Sequence, residues 1–249
     1  MKKEVRTVVY DEELRLEAYR FDGILQLFPN HFHEYYVIGF VENGERCLSC
    51  RNKEYAIAKG DVVIFNPGDT HACVQSDDGT LDYQGLNVSQ EVMKDLAEEI
   101  TGQRKLPVFS ETVIKDEEVT CYLRPLHEMI MKGVCDFGKE EHLILLISLL
   151  IQRYGKAFEN CTPECRKEIE SACQFMRQHF SEHIYLNQIC HYVGLSKSTL
   201  LRAFTKTKGV TPYNYLENIR IGEAKKLLEQ GMPPVAAALR TGLSDQSHF

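Results

Sequence analysis

Two sets of residues have types and spacing that could do chemistry. Between 197 and 208, Lys197, Ser198, Leu201, Arg202 and Thr205 project from one side of a helix, with Leu200 and Phe204 on the other. A polar and basic face opposite a buried one is what a recognition helix presents to a major groove. In the N-terminal half, His31, His33 and His71 supply imidazoles. Imidazole can ligate a metal, line a ligand cavity or hydrogen-bond within a core, and residue type alone leaves these readings open.

The helical set needs a scaffold, and the stretch LNQICHYVGLSKSTLLRAFTKTKG, 186–209, reads as one. Leu186, Ile189, Cys190 and Val193 repeat at helical spacing, and Gly194 can close that helix in the left-handed conformation. Leu195 then plugs the corner, and Ser196 caps a second helix by accepting from its free amides. Helix pairs joined through Gly-Leu-Ser also occur in proteins that never touch DNA, so the flanks must decide. Thr211-Pro212 is an N-cap with proline at the first helical position, and the apolar pattern that follows predicts a helix of about 18 residues, about 27 Å long. From Val235 the theme returns with a second Gly-Leu-Ser at 242–244, an internal repeat.

With GLSKSTLLRAF, GVTPYNYLENIR, AKKLLEQG and GLSDQSHF in order, the segment from Ile169 to Phe249 resembles the DNA-binding domain of the AraC/XylS family of transcription regulators. The resemblance implies two helix-turn-helix units held apart by a connecting helix, entering successive major grooves about 34 Å apart. It assigns base reading in the first unit to Ser198, Leu201 and Arg202, with Lys197 beside them. Arg202 would pair bidentately with guanine, and Leu201 would meet a thymine methyl. Thr205, Lys206 and Lys208 would hold phosphates. Gln246, Ser247 and His248 occupy the corresponding positions of the second unit.

Charge divides the chain in the same way. Of 249 residues, 29 are Lys or Arg and 36 Asp or Glu, a net −7. Residues 1–165 hold 18 basic against 29 acidic groups (−11), and 166–249 hold 11 against 7 (+4). The basic part is the helix-turn-helix part, as expected for a nucleic-acid module joined to an acidic module of another kind. The longest apolar run, 143–151, is too short to span a membrane, and the N-terminus lacks a signal-peptide core. A cytoplasmic location is therefore expected. The nine cysteines, scattered and odd in number, read as small hydrophobes without a disulfide framework.

Residues 1–88 punctuate as short strands with turns at Asn43-Gly44, Lys59-Gly60-Asp61, Pro67-Gly68-Asp69 and Asp77-Asp78-Gly79. This predicts a small antiparallel barrel or sandwich. HFHEYYVIGFVENG (31–44) and GDVVIFNPGDTH (60–71) resemble the two halves of a cupin barrel, the sensory domain of many AraC-family proteins. Metal-binding cupins add a glutamate four or five residues after the second histidine, where this chain has Val37 and Ile38. No bound metal or other cofactor is therefore expected. His31, His33, Tyr35 and His71 are expected to line an effector cavity.

The fold expected is thus α+β in two domains: a cupin-like barrel (1–88), a helical segment (89–154), a linker (155–164) and an all-α double helix-turn-helix (165–249) with an incomplete second unit. The apolar stripe of 143–151 either packs on the barrel or forms a homodimer. The expected function is a DNA-binding regulator, not an enzyme, that answers to a small-molecule effector. The rival is a metal-dependent cupin enzyme with a helical tail. Because the sequence stops five residues after Ser244, residues past about 233 are expected to be poorly ordered.

Overall fold

In the computed structural model, residues 4–51, 53–75, 79–156 and 165–243 are described. Strand periodicity and turn residues act first. The strands are β1 (Val5–Asp11), β2 (Leu16–Ile24), β3 (Phe28–His31), β4 (Tyr36–Asn43), β5 (Arg46–Cys50), β6 (Lys53–Ile57), β7 (Val62–Phe65), β8 (His71–Gln75), β9 (Leu81–Val88) and β10 (Val113–Ile114). They pair antiparallel in two sheets, ordered β1-β2-β9-β4-β7-β10 and β3-β8-β5-β6. β10, unforeseen in the sequence, adds Ile114 opposite Val62 at the edge of the first sheet, so that sheet draws on residues beyond 88.

Between the sheets lies an apolar core built from Tyr19, Ile24, Val37, Val41, Leu48, Ile57, Val63, Phe65 and Leu81. Gly39 and Gly85 face each other across β4 and β9. A Cβ on Gly39 would stand 2.1 Å from the Tyr83 hydroxyl, and one on Gly85 would stand 2.6 Å from both the Tyr19 hydroxyl and Gly39 Cα. These two glycines therefore clear the space in which Tyr19 and Tyr83 lie, their rings 5.5 Å apart.

The helices are α1 (Gln90–Thr101), α2 (Glu117–Met131), α3 (Gly138–Tyr154), α4 (Arg166–His179), α5 (Leu186–Val193), α6 (Lys197–Lys208), α7 (Pro212–Glu229) and α8 (Pro234–Arg240). Ser89 and Gly102 bound α1 as their types predict. α2 packs on β1, β2 and β9, and its buried His127 bonds through Nε2 to the Tyr19 carbonyl at 2.9 Å. Leu143, Leu146, Ile147, Leu150 and Ile151 of α3 are all buried within this single chain. Burial on every side is what an all-round apolar helix requires, so this stripe is core and not an open dimer face.

The chain forms two compact units, Met1–Val134 with His142–Asn160, and Cys135–Glu141 with Cys161–Phe249. The barrel and most of α1–α3 thus share one unit. The short stretch around the start of α3 belongs with the helical unit. Most of the expected linker, 157–164, lies outside the described residues.

In the helical unit, α5 and α6 meet at Gly194 (φ +70°), whose neighbour Leu195 donates to the Cys190 carbonyl at 3.2 Å. α7 spans 18 residues from its Thr211 cap and Pro212, the length expected. The expectation of poor order beyond 233 does not hold for 234–243. α8 forms, Thr241 bonds back to the Ala237 carbonyl at 2.9 Å, and Leu243 packs with Ala224 and Ala238. A short helix persists here because tertiary packing supplies what isolated helix propensity lacks.

Candidate functional sites: a histidine-lined cavity and a helix-turn-helix

Antiparallel pairing of β3 with β8 sets His31 directly opposite His71. His33, two residues past the end of β3, turns in beside them. Ring centroids are 4.3 Å apart for His31–His71, 4.9 Å for His31–His33 and 5.2 Å for His33–His71. Tyr35 stacks on His33 at 4.8 Å, and Phe65 stacks on His71 at 3.7 Å. All four residues expected to line a cavity do so, in a hollow of about 180 Å³ between the two sheets. The remaining wall is mostly apolar and aromatic, with Tyr19, Phe21, Phe28, Leu48 and Tyr83 among its members. An apolar cavity with a few convergent polar groups is the usual form of a small-molecule site.

The histidines are held by backbone. His71 Nδ1 lies 2.9 Å from the Asp69 carbonyl and His31 Nδ1 2.7 Å from the Pro29 carbonyl. A carbonyl only accepts, so each Nδ1 carries the proton and the neutral ring keeps its Nε2 lone pair. The turn that carries Asp69 is itself fixed. Its carboxylate accepts from the Asn66 amide at 2.8 Å and from Arg51 Nη2 at 2.5 Å, while Gly68 N donates to the His33 carbonyl at 2.8 Å. Desolvation, then the neighbouring His71 and His31, lowers the His33 pKa to about 4, and burial lowers that of His71. Both rings are neutral at physiological pH.

Asn66, Asp69 and Arg51, which brace this turn, were missed in the sequence. The Asn-Pro-Gly-Asp turn was legible, since Asp at its end can cap the amide three residues back. Arg51, one of two non-glycine residues with positive φ (49°) among the described residues, had no local signal.

In the helical unit, Ser196 caps α6, its Oγ accepting from Thr199 N at 3.4 Å, and Gly209 (φ +74°) ends it. Leu200 and Phe204 are buried as expected. The opposite face departs from expectation. Ser198 is 1% and Leu201 0% exposed, so the two are not open to DNA in this conformation. Lys197 is ion-paired with Glu140, Lys208 Nζ lies 2.8 Å from Glu170, and Arg202 is half-buried with Nε donating to its own helix at the Ser198 carbonyl, 3.3 Å away. Lys206 is exposed. The Thr205 hydroxyl is buried and has no hydrogen-bond partner among the described residues. Gln246, Ser247 and His248 lie outside the described residues.

The acidic stretch that meets α6 also meets α7. The Glu141 carboxylate, fully buried, accepts from the Tyr213 amide at 2.9 Å, at the α7 N-terminus. The Tyr213 hydroxyl donates to Asp136 at 3.0 Å. A carboxylate suits the positive end of a helix dipole, but burial dominates and pushes the Glu141 pKa up to about 7. Arg220, on α7, ties this helix to the α4–α5 connection by donating to the Phe180 and Glu182 carbonyls at 2.8 and 2.9 Å.

A double-sheet barrel enclosing a small-molecule-sized cavity, on one chain with a capped helix-turn-helix, defines a ligand-binding domain joined to a DNA-binding domain. The comparisons with known proteins agree. Residues 13–147 match the AraC-like ligand binding domain and residues 189–249 a helix-turn-helix domain. The chain is 48% identical over 250 residues, covering all of itself and 91% of its relative, to the "Uncharacterized HTH-type transcriptional regulator YbfI" of Bacillus subtilis (strain 168). It is 25% identical over 221 residues (86% and 77% of the two chains) to the "Arabinose operon regulatory protein" of Salmonella typhimurium. Among solved structures, fatty acid-bound ToxT from Vibrio cholerae is similar over the whole chain and 91% of its own length, at 15% identity and a TM-score of 0.42. The chain belongs to the AraC family of transcription regulators.

Proposed function

We propose that the protein is a cytoplasmic, non-enzymatic regulator that reads a specific DNA sequence and answers to a small organic effector held in the barrel, acting as a homodimer. The observation that carries this reading is the histidine- and tyrosine-edged cavity of about 180 Å³ on one chain with a helix-turn-helix. No helix among the described residues is long and apolar enough to cross a membrane. His31, His33, Tyr35 and His71 orient the effector's polar group, and the aromatic wall takes its apolar body. Arg202 reads a base edge and Lys206 holds a phosphate. Ser198 and Leu201 are packed into the helical unit, so base reading in this unit falls to Arg202.

Selection of bound duplexes from a random pool, with and without effector candidates, tests the reading. An enriched motif supports sequence-specific binding, and two copies of it, each long enough to fill two successive major grooves, support a dimer. Binding with no sequence preference, or a cavity to which no small molecule gives a rise in melting temperature, refutes the corresponding half of the proposal.

A further inference from the structure

We propose that the barrel cavity is selective for a small uncharged phenol, a single aromatic ring whose hydroxyl completes a hydrogen-bonded set with those of Tyr19 and Tyr83. The inference deepens the effector reading, on which it rests. Tyr19 stands opposite Gly85 in the β2–β9 register, and Gly39 stands opposite Gly85 across β4 and β9. A Cβ on Gly39 would meet Oη, Cζ and Cε2 of Tyr83 at 2.1, 2.4 and 2.7 Å, so that ring lies across bare backbone. With the Tyr19 ring 5.5 Å from Tyr83 and 5.0 Å from Phe21, these rings in succession pave one wall of the cavity. A ligand ring packs on such a wall in offset-stacked or edge-to-face contact.

The hydroxyls in this wall are incompletely used. Those of Tyr19 and Tyr83 lie beside each other, yet that of Tyr19 is buried without a well-formed hydrogen bond among the described residues. A phenol hydroxyl donates one proton and can also accept. A pair of them can share one proton, and the other is left without an acceptor. A third hydroxyl removes the deficit, because three can donate and accept in a ring, each once. Leaving a buried donor unpaired costs more than an ordinary hydrogen bond gains, so a ligand hydroxyl is favoured here over a bare hydrocarbon.

Size and charge narrow the class. A dry apolar cavity of about 150 Å³ takes up benzene, so a hollow of about 180 Å³ holds one ring with a small substituent. None of the described side chains lining it is Lys, Arg, Asp or Glu, and a carboxylate, phosphate or ammonium ligand would be desolvated without a counter-charge. A sugar carries a hydroxyl on most of its carbons, and against this aromatic wall most of them would be left unpaired.

The test uses the full chain with p-cresol, toluene, benzoate and D-xylose as probes, titrated by calorimetry and followed by thermal melting. One equivalent of p-cresol per chain is expected, with a raised melting temperature, and no measurable binding of benzoate or D-xylose. Tyr19→Phe should weaken p-cresol about 5-fold, with no matching loss for toluene. The same variant should leave the melting temperature of the ligand-free chain unchanged or higher, because the hydroxyl removed has no partner to lose. A lowered ligand-free melting temperature would make that hydroxyl structural and overturn the proposal, as would a p-cresol affinity that the variant leaves unaltered. Absence of p-cresol binding overturns it too. If benzoate or D-xylose binds in its place, the effector reading stands and this inference alone falls.

Discussion

Replacing Glu141 by Gln should stabilise the helical unit above neutral pH and leave it little changed in mild acid. The Glu141 carboxyl is fully buried, and its pKa is raised from the ordinary 4.5 to about 7. Desolvation is the largest cause. The Asp136 carboxylate adds to it, while Thr211 and the Tyr213 amide pull the other way. Above pH 7 the group is ionised in both states, and the folded protein carries the full cost of the buried charge. Between pH 7 and 4.5 the folded state takes up a proton that the unfolded state does not, so stability rises as pH falls. Below 4.5 both states are protonated and the cost is gone. A shift of about 2.5 units at 1.36 kcal/mol each sets the cost at about 3 kcal/mol as an upper bound.

Gln keeps an acceptor for the Tyr213 amide and removes the charge. Urea unfolding from pH 5 to 8.5 should show Glu141→Gln more stable by about 1–3 kcal/mol at pH 8.5, with the difference shrinking to a few tenths at pH 5. A constant difference across that range, or a variant less stable at pH 8.5, would refute the assignment of a raised pKa to this carboxyl.

Arg202→Ala should cost about 1–3 kcal/mol on the selected operator and relax preference at one base pair, while Lys206→Ala should weaken all sequences alike and flatten the salt slope by about one unit. Equal losses on operator and random DNA for Arg202→Ala would remove it from base reading. Gly85→Ala should destabilise the barrel by about 1–3 kcal/mol, because the new Cβ meets Gly39 Cα at 2.6 Å and backbone cannot move aside cheaply. An unchanged urea midpoint would contradict this. Arg220→Ala strips the Phe180 and Glu182 carbonyls of their donor and should cost about 2–3 kcal/mol, visible as a lowered unfolding midpoint with the barrel's own transition unmoved.

Much of this protein was legible residue by residue, wherever structure is decided by a few neighbours in the chain. Ser196 and Thr211 cap the helices they were expected to cap, Ser89 caps α1, and Gly102, Gly194 and Gly209 end their helices with positive φ. Caps satisfy amides and carbonyls within one turn, so their signals are local. The same holds for β7 and β8, joined through Asn66-Pro67-Gly68-Asp69, while the turn expected at Asp77-Asp78-Gly79 lies mostly outside the described residues. The repeated Gly-Leu-Ser units and the change in charge sign after residue 165 were enough to separate a DNA-binding half from a barrel.

Tertiary structure alone decided what depends on partners distant in sequence. Amphipathic spacing put Leu201 on the polar side of α6, yet it is fully buried, because one helix's periodicity does not specify what packs on its second face. Arg220 and Gly85 carry no local signal, since their roles lie in carbonyls about 40 residues away and in a glycine on the neighbouring strand. The three histidines were visible as residue types, but their convergence follows from the β3–β8 register and from the Asp69 turn that aims His71. Sequence supplied the imidazoles. Only strand pairing, which joins segments 40 residues apart, brought their nitrogens within 4.8 Å of one another.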